Sequence, residues 1–429
     1  MTDRLDAIQS DPVRMGWMVG APPPPDKLIR FDDGSFAKFP RTRWSYSHMR
    51  QFLPTSVVRR ADRPVRALPR DERTDLDAVT FVPLAPSPDG TATGFGATGA
   101  RGGSMTWAES LLANFTDGIL VLHRGRIVHE RYFGVLDAHT PHIAFSVTKS
   151  FVATLAATLV HEGVLDEHAT VPHYLPELAA SGGFADATIR HLLDMTTGLA
   201  YTEDYTDQNS SVWQFSRAGG FRPRPLDYRG PESFYGFIRT LSQDAPHGER
   251  FAYKTVNTDT LAWVLRRVTG LSLSELVQER IWSRLGIEDD AYFSVDSTGV
   301  EFAGGGLNLT LRDMARFGEM IRLGGRFNDQ QVIPTEVVAD IRRGGNPDHF
   351  ALAGYTLLPG WSYRNMWWIA HNEHGAFTAR GIHGQAIYID PAAEMVIARF
   401  ASHPQGANVN MDPMSLPAYH AIAKHLMRD

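Results

Sequence analysis

From residue 118 onward the spacing of apolar positions changes along the chain, and each change predicts a different element. Gly118-Ile-Leu-Val-Leu-His123 and Arg126-Ile-Val-His-Glu-Arg-Tyr132 are β-prone runs around the turn Arg124-Gly125, which predicts a β-hairpin. A second hairpin is predicted where Gln385-Ala-Ile-Tyr-Ile389 and Met395-Val-Ile-Ala-Arg-Phe400 flank the loop Asp390-Pro-Ala-Ala-Glu394, because loops this short join antiparallel strands. Between the hairpins, roughly residues 151 to 300, helical periodicity dominates, as in Thr258 to Val268 and Leu271 to Leu285. Strands at both ends and helices between predict one sheet completed by distant parts of the chain, with a helical insertion. No internal repeat is visible.

The first part of the chain reads differently. Residues 1–105 are rich in Pro, Arg and Gly, from Ala21-Pro22-Pro23-Pro24-Pro25 to Gly99-Ala100-Arg101-Gly102-Gly103, and predict an extended arm draped on the body with little core of its own. Gly94-Phe-Gly-Ala-Thr-Gly99 spells a dinucleotide-binding fingerprint, but it lacks the preceding strand and following helix that such a site needs, so a loop is expected. The arginines between Arg59 and Arg73 alternate with Asp62, Asp71 and Glu72, which predicts a solvated surface. The resulting layout is an arm over 1–105, an α/β domain over 106–165 and 300–429, and a mainly helical domain over 166–299.

Composition narrows the chemistry. The 429 residues are 43% hydrophobic and 21% charged, ordinary globular usage with room for a buried site. A formal net charge of -6 argues against a nucleic-acid binder. With no cysteine, disulfide scaffolds, thiolate metal sites and cysteine nucleophiles are excluded. The polar N-terminus and the lack of a long apolar run predict a soluble, cytoplasmic protein without membrane association. Among the basic residues only Lys27, Lys38, Lys149, Lys254 and Lys424 are lysine. Lysine can lose its proton when desolvated and arginine cannot, so only these five can supply a cationic side chain that doubles as a general base.

Three segments carry candidate chemistry. Phe145-Ser-Val-Thr-Lys149 opens an apolar run to Val160 that stops at His161-Glu-Gly163, which predicts a buried helix with a glycine C-cap. Ser146 and Lys149, three apart, lie on one helix face within hydrogen-bonding reach. Apolar surroundings favour a neutral lysine able to accept the serine proton, although a capped helix with a snorkelling lysine also explains the tetrad taken alone. In Gly248 to Asn257, Tyr253 stands beside Lys254, and a tyrosine hydroxyl close to a lysine can relay a proton; a core tyrosine is the plainer reading. Thr378-Ala-Arg-Gly-Ile-His-Gly384 is a glycine-rich strand entrance where a backbone N–H can approach a substrate oxygen, or a purely structural turn.

Together, Ser146-Val-Thr-Lys149, His161 to Asp166, Thr188 to Leu199, Tyr253 and Ala303 to Phe317 resemble the serine β-lactamase and penicillin-binding-protein superfamily, class C branch. Within it, Glu203-Asp-Tyr205, Phe251 to Trp263, Trp367-Trp368, Gly381 to Gln385 and Arg43 to His48 are similar to the 6-aminohexanoate-dimer (nylon-oligomer) hydrolases and their carboxylesterase relatives. The resemblance implies a β-lactamase-like α/β fold, an antiparallel sheet flanked by helices plus an all-helical domain, and a site in the cleft between them. It implies Ser146 as the acylated nucleophile, Lys149 as general base and Tyr253 as proton relay. It also implies an oxyanion hole from the backbone N–H groups of Ser146 and Arg380, and Tyr205 at the scissile bond.

Departures from the family pattern bear on substrate. Ala379-Arg380-Gly381 replaces the Lys-Thr-Gly box, so β-lactam hydrolysis is expected to be poor. Tyr253-Lys254-Thr255 replaces Tyr-x-Asn, with Asn257 two residues further on. Ser216, Phe221 and Gly304 stand where efficient nylon-dimer hydrolases carry an acid, a tryptophan and an asparagine, which predicts ester cleavage above 6-aminohexanoate-dimer cleavage. The reading is a serine hydrolase of small esters or amides with no cofactor and no metal; it allows a homodimer. An acyltransferase or a non-catalytic acyl-binding member of the fold is the alternative. No His-Glu-x-x-His site follows His161, His371 with His374 reads as an isolated loop pair, and His383 is expected to be structural before it is a substrate contact.

Overall fold

The computed structural model describes residues 5–62, 64–84 and 103–428; the segment Gly94 to Gly99 and Arg63 lie outside the described residues. In chain order, a short arm strand β1 (Thr55–Val58) is followed by helix α1 (Trp107–Ala113) and the hairpin β2 (Thr116–His123) and β3 (Arg126–Tyr132). Arg124 and Gly125 close that hairpin at positive φ, which the Gly accepts without a Cβ penalty. Next come β4 (His142–Ile143), α2 (Val147–His161), α3 (Ser211–Ala218), α4 (Val256–Thr269) and α5 (Leu273–Arg280). β5 (Ala291–Ser294), β6 (Leu307–Leu309) and α6 (Leu311–Arg322) lead to β7 (Ser362–Arg364), β8 (Trp367–Ile369) and β9 (Phe377–Gly381). The chain ends with β10 (Gln385–Asp390), β11 (Met395–Ala401) and α7 (Asp412–Leu426).

The main sheet is antiparallel, seven strands in the order β7-β8-β9-β10-β11-β2-β3. Its middle joins the two predicted hairpins: β11 pairs with β2, Ile397 opposite Val121 and Ala398 opposite Leu120. Successive side chains point to opposite faces. Leu120, Leu122, Val396 and Ala398 pack on the face covered by α6. Ile119, Val121, Met395 and Ile397 pack on the other face with α7 and α1. Burial on both faces explains why these strands are continuously apolar instead of alternating, and each fully buried Leu or Ile contributes about 1.5–3 kcal/mol. Gly318 in α6 is a packing residue: a Cβ there would meet Ile387 and Val396 side chains at 2.7 Å.

A second antiparallel sheet, β1-β5-β6-β4, positions the site. β4 leads directly to Ser146, and β6 directly follows Gly304, Gly305 and Gly306; Ile143 pairs with Asn308, and Ala144 N–H donates to Leu307 O at 2.8 Å. The arm adds more than β1. Its Trp17, Ile29, Phe36, Trp44, Tyr46 and Met49 share a buried cluster with Ile143, Phe145 and Tyr292 of the body. Arg43 is buried, donating to Ala7 O at 2.7 Å and to Asp117 Oδ1 of β2 at 3.1 Å. Among the described residues no helix is long and apolar enough to cross a membrane.

Candidate active site

α2 is apolar on nearly every side because it is enclosed by β9, α4 and α5. Its few polar side chains are satisfied internally: Thr154 and Thr158 donate to carbonyls one turn back, and Ser150 donates to Met366 O. Ser146 precedes the first turn, and Phe145 before it holds φ 43°, a left-handed conformation that costs a non-glycine residue roughly 1–2 kcal/mol. Strain of this kind persists where the surroundings fix an unusual turn, and here the turn aims the serine out of the helix end.

Lys149 is 1% exposed. Its Nζ lies 2.8 Å from Ser146 Oγ and donates to Gly304 O at 2.5 Å. Burial pulls its pKa down to about 8, against the opposing pull of Glu203 and Asp259. As an ammonium it donates to Ser146; as a neutral amine it keeps one N–H on Gly304 O and turns its lone pair to the serine O–H. The partner missing from the local sequence is Asp259 of α4. Its Oδ1 accepts from the N–H groups of Ala303 and Gly304, and its Oδ2 is buried without a hydrogen-bond partner. Burial raises the pKa of Asp259, with Lys149 pulling the other way.

The Tyr253 ring lies beside Lys149 Nζ, 5.1 Å from its centroid, and its hydroxyl interacts with Ser146. Burial pushes the Tyr253 hydroxyl well above its ordinary pKa of 10, with Glu203 reinforcing the shift. The same burial therefore favours a neutral amine on Lys149 and opposes a phenolate on Tyr253, which separates the two as base and proton carrier. Glu203 organises the rim: it accepts from Thr255 N–H at 2.9 Å, from the Thr255 hydroxyl, and from Tyr205 O–H at 2.6 Å. With its proton committed to Glu203, Tyr205 presents an oxygen that accepts.

Ser146 sits between two cavities. The larger, about 610 Å³, is lined by Tyr205, Tyr253, Trp368, Arg380 and Asp412 among others. The smaller, about 60 Å³, is mostly apolar and is lined by Phe36, Tyr46, Phe145, Phe221 and Phe302, with Ser216, Arg222, Gly304 and His383. All the residues singled out in the sequence for catalysis or substrate contact therefore meet here. Ala379 is buried in β9, and the Arg380 side chain is paired with Asp412 and lies over Trp368, 5.0 Å from the ring centroid.

Other singled-out residues turn elsewhere. Lys254 donates to the carbonyls of Thr197 and Leu199, and Asn257 is buried against Thr197 and Met195. His383 both lines the smaller cavity and bonds His403 O at 2.6 Å; burial lowers its pKa to about 4, so it is neutral. His371 and His374 do not form a pair. His371 contacts Ser362, whereas His374 contacts Asp390 and faces His420 of α7. Asp259, Arg222 and Asp412 were not foreseen; the one available signal was the cost of Lys149 without an acid nearby.

The sequence profile of the Beta-lactamase family matches residues 107–416. The chain belongs to the beta-lactamase family. It is 33% identical over 371 residues to a 6-aminohexanoate-dimer hydrolase of Paenarthrobacter ureafaciens, covering 86% of this chain and 88% of that protein. A solved structure from Bacillus anthracis, provisionally named a 6-aminohexanoate-dimer hydrolase, superposes with TM-score 0.82 at 33% identity over 95% of this chain and 99% of that one. A more distant relative, a monacolin J acid methylbutanoyltransferase of Aspergillus terreus, is 29% identical over 177 residues, 36% of this chain and 38% of that protein. This beta-lactamase family member has the family's fold of mixed helices and antiparallel sheets, and it is an enzyme.

Proposed function

We propose that this enzyme is a serine hydrolase that cleaves small esters and amides through an acyl-enzyme on Ser146. The observation that carries the reading is the 2.8 Å contact between Ser146 Oγ and a buried Lys149 whose pKa lies near 8. As Oγ attacks the carbonyl carbon, the serine proton passes to the Lys149 amine. The tetrahedral intermediate then expels the leaving group, which takes that proton by way of the Tyr253 hydroxyl. Water attacks the acyl-enzyme by the same path in reverse, releasing the acid and restoring Ser146.

The oxyanion is assigned to backbone donors. Ala370 N–H donates to Ala376 O, so even-numbered residues of β9 turn their polar backbone groups away from β10. β8 is in register with β9 only as far as Thr378, which leaves the Arg380 N–H facing the cleft. Gly381 is extended, so Ile382, which borders both cavities with Ser146, has the same orientation. Arg380 and Ile382 are the two candidate partners of the Ser146 N–H.

The substrate readings follow from charge. Arg380 is neutralised by Asp412, which supports weak β-lactam binding, and no carboxylate lines the smaller cavity, which supports poor capture of an ammonium-ended nylon dimer. A burst of p-nitrophenol equal to the enzyme concentration, followed by slower turnover, tests the acyl-enzyme; a linear trace with no covalent species contradicts it. Acyl transfer is separated from hydrolysis by product analysis with an added alcohol.

A further inference from the structure

Arg222 lines the smaller cavity beside Ser146, on the loop that follows α3. The loop is held in place from within. Phe221 N–H donates to Ser216 O at 2.9 Å, and Arg224 is tied to the carbonyls of Arg217, Ala218 and Glu232. Arg224 is thus structural, but Arg222 is not used in that way. Its guanidinium stacks on Trp213, 3.9 Å from the ring centroid, and among the described residues it makes no ion pair. No Asp or Glu lines the cavity, whose other polar groups are the hydroxyls of Tyr46, Ser146, Tyr205, Ser216 and Thr255 and the neutral His383. A guanidinium in mostly apolar surroundings is under-solvated, and the direction of its pKa, lowered chiefly by burial, agrees. The chemical partner that best relieves it is a carboxylate, which a guanidinium grips with two parallel hydrogen bonds.

Which half of the substrate enters follows from Tyr253. Tyr253 lines the larger cavity and not the smaller, so the leaving group that takes its proton departs into the larger one. The acyl half then lies toward Arg222. We propose that the enzyme's preferred substrates are half-esters or half-amides of short dicarboxylic acids, with the free carboxylate of the acyl chain held by Arg222 in the smaller cavity. This assignment rests on the acyl-enzyme reading and adds to it the charge of the acyl group.

The test compares monomethyl adipate, methyl hexanoate and methyl 6-aminohexanoate, six-carbon acyl chains that end in a carboxylate, a methyl group and an ammonium. The expected order of kcat/KM is carboxylate, then neutral, then ammonium, with the first ratio above about tenfold. In Arg222→Met the carboxylate-to-neutral ratio falls to one or below, while Arg222→Lys keeps a reduced preference. The neutral ester reports in each variant that the site is assembled. A wild-type ratio of one or less, or a ratio that Arg222→Met leaves unchanged, overturns the assignment alone. Turnover of none of the three esters overturns the hydrolase reading and this assignment with it.

Discussion

Lys149 and Asp259 are linked through one residue: Lys149 Nζ donates to Gly304 O, and Gly304 N–H donates to Asp259 Oδ1 at 3.3 Å. The carboxylate thus reaches the base electrostatically without a direct bond. When Lys149 takes the serine proton it becomes a buried cation, stabilised by Glu203 and, once its own burial-raised carboxyl has ionised, by Asp259. Asp259→Asn keeps an acceptor for Ala303 and Gly304 but removes the charge. Because Asp259 raises the Lys149 pKa, its loss moves the rising limb of the kcat/KM pH profile to lower pH. The amine also becomes a weaker base, so the plateau falls. An unmoved limb would show that Asp259 does not act on Lys149.

The base must be neutral to work. With the Lys149 pKa near 8, the active fraction is small at pH 6 and grows as pH rises through 8, so kcat/KM for an ester climbs tenfold per pH unit and levels above about pH 9. Tyr253 must stay protonated, and burial keeps it so well past pH 10, so no falling limb appears below that pH. Lys149→Arg, always protonated, loses about 10²–10⁴ in kcat at every pH.

Gly304 has no room for a side chain. A Cβ there would stand 2.4 Å from Thr255 Cγ2 and 2.7 Å from Asp259 Oδ2. Gly304→Ala is expected to shift the 303–304 turn away from Lys149, lowering kcat by more than tenfold and stability by about 1–3 kcal/mol. Gly304→Asn should fail for the same reason unless Thr255 is also made smaller. Thermal melts and ester kinetics on these variants measure both effects.

Tyr205 donates its proton to Glu203, so its oxygen is free to accept from a scissile amide N–H. An ester has no such hydrogen. Tyr205→Phe should therefore lower amide cleavage more than cleavage of the matched ester, and the amide-to-ester ratio of kcat/KM should fall severalfold. A ratio that stays constant would remove Tyr205 from leaving-group recognition.

Much of this was legible in the chain. The two hairpins were readable because β2, β10 and β11 are largely apolar runs and all four strands are joined by short turns, and their union in one sheet follows from strands at both ends. The Ser146 to Lys149 spacing was readable because a helix fixes what lies three residues apart. What the sequence hid are contacts made across the fold. Asp259 lies in a helix far along the chain from Lys149, and nothing local marks it except that a buried acid in Thr258 to Val264 needs a partner. Arg222 looked like one arginine among many, since its distinction is the acid it lacks. The arm's part in walling the smaller cavity, through Phe36, Tyr46 and Met49, was equally hidden, because its Pro- and Gly-rich composition masks isolated core positions.

The central claim is that Ser146 becomes covalently acylated with Lys149 as its base. Rapid quenching during turnover of p-nitrophenyl butyrate, followed by peptide mass spectrometry, tests it directly. The account predicts one butyryl group, on the peptide containing Ser146, with no adduct and background turnover in Ser146→Ala. Turnover at the wild-type rate in Ser146→Ala, or an acyl group on a different residue, would contradict it.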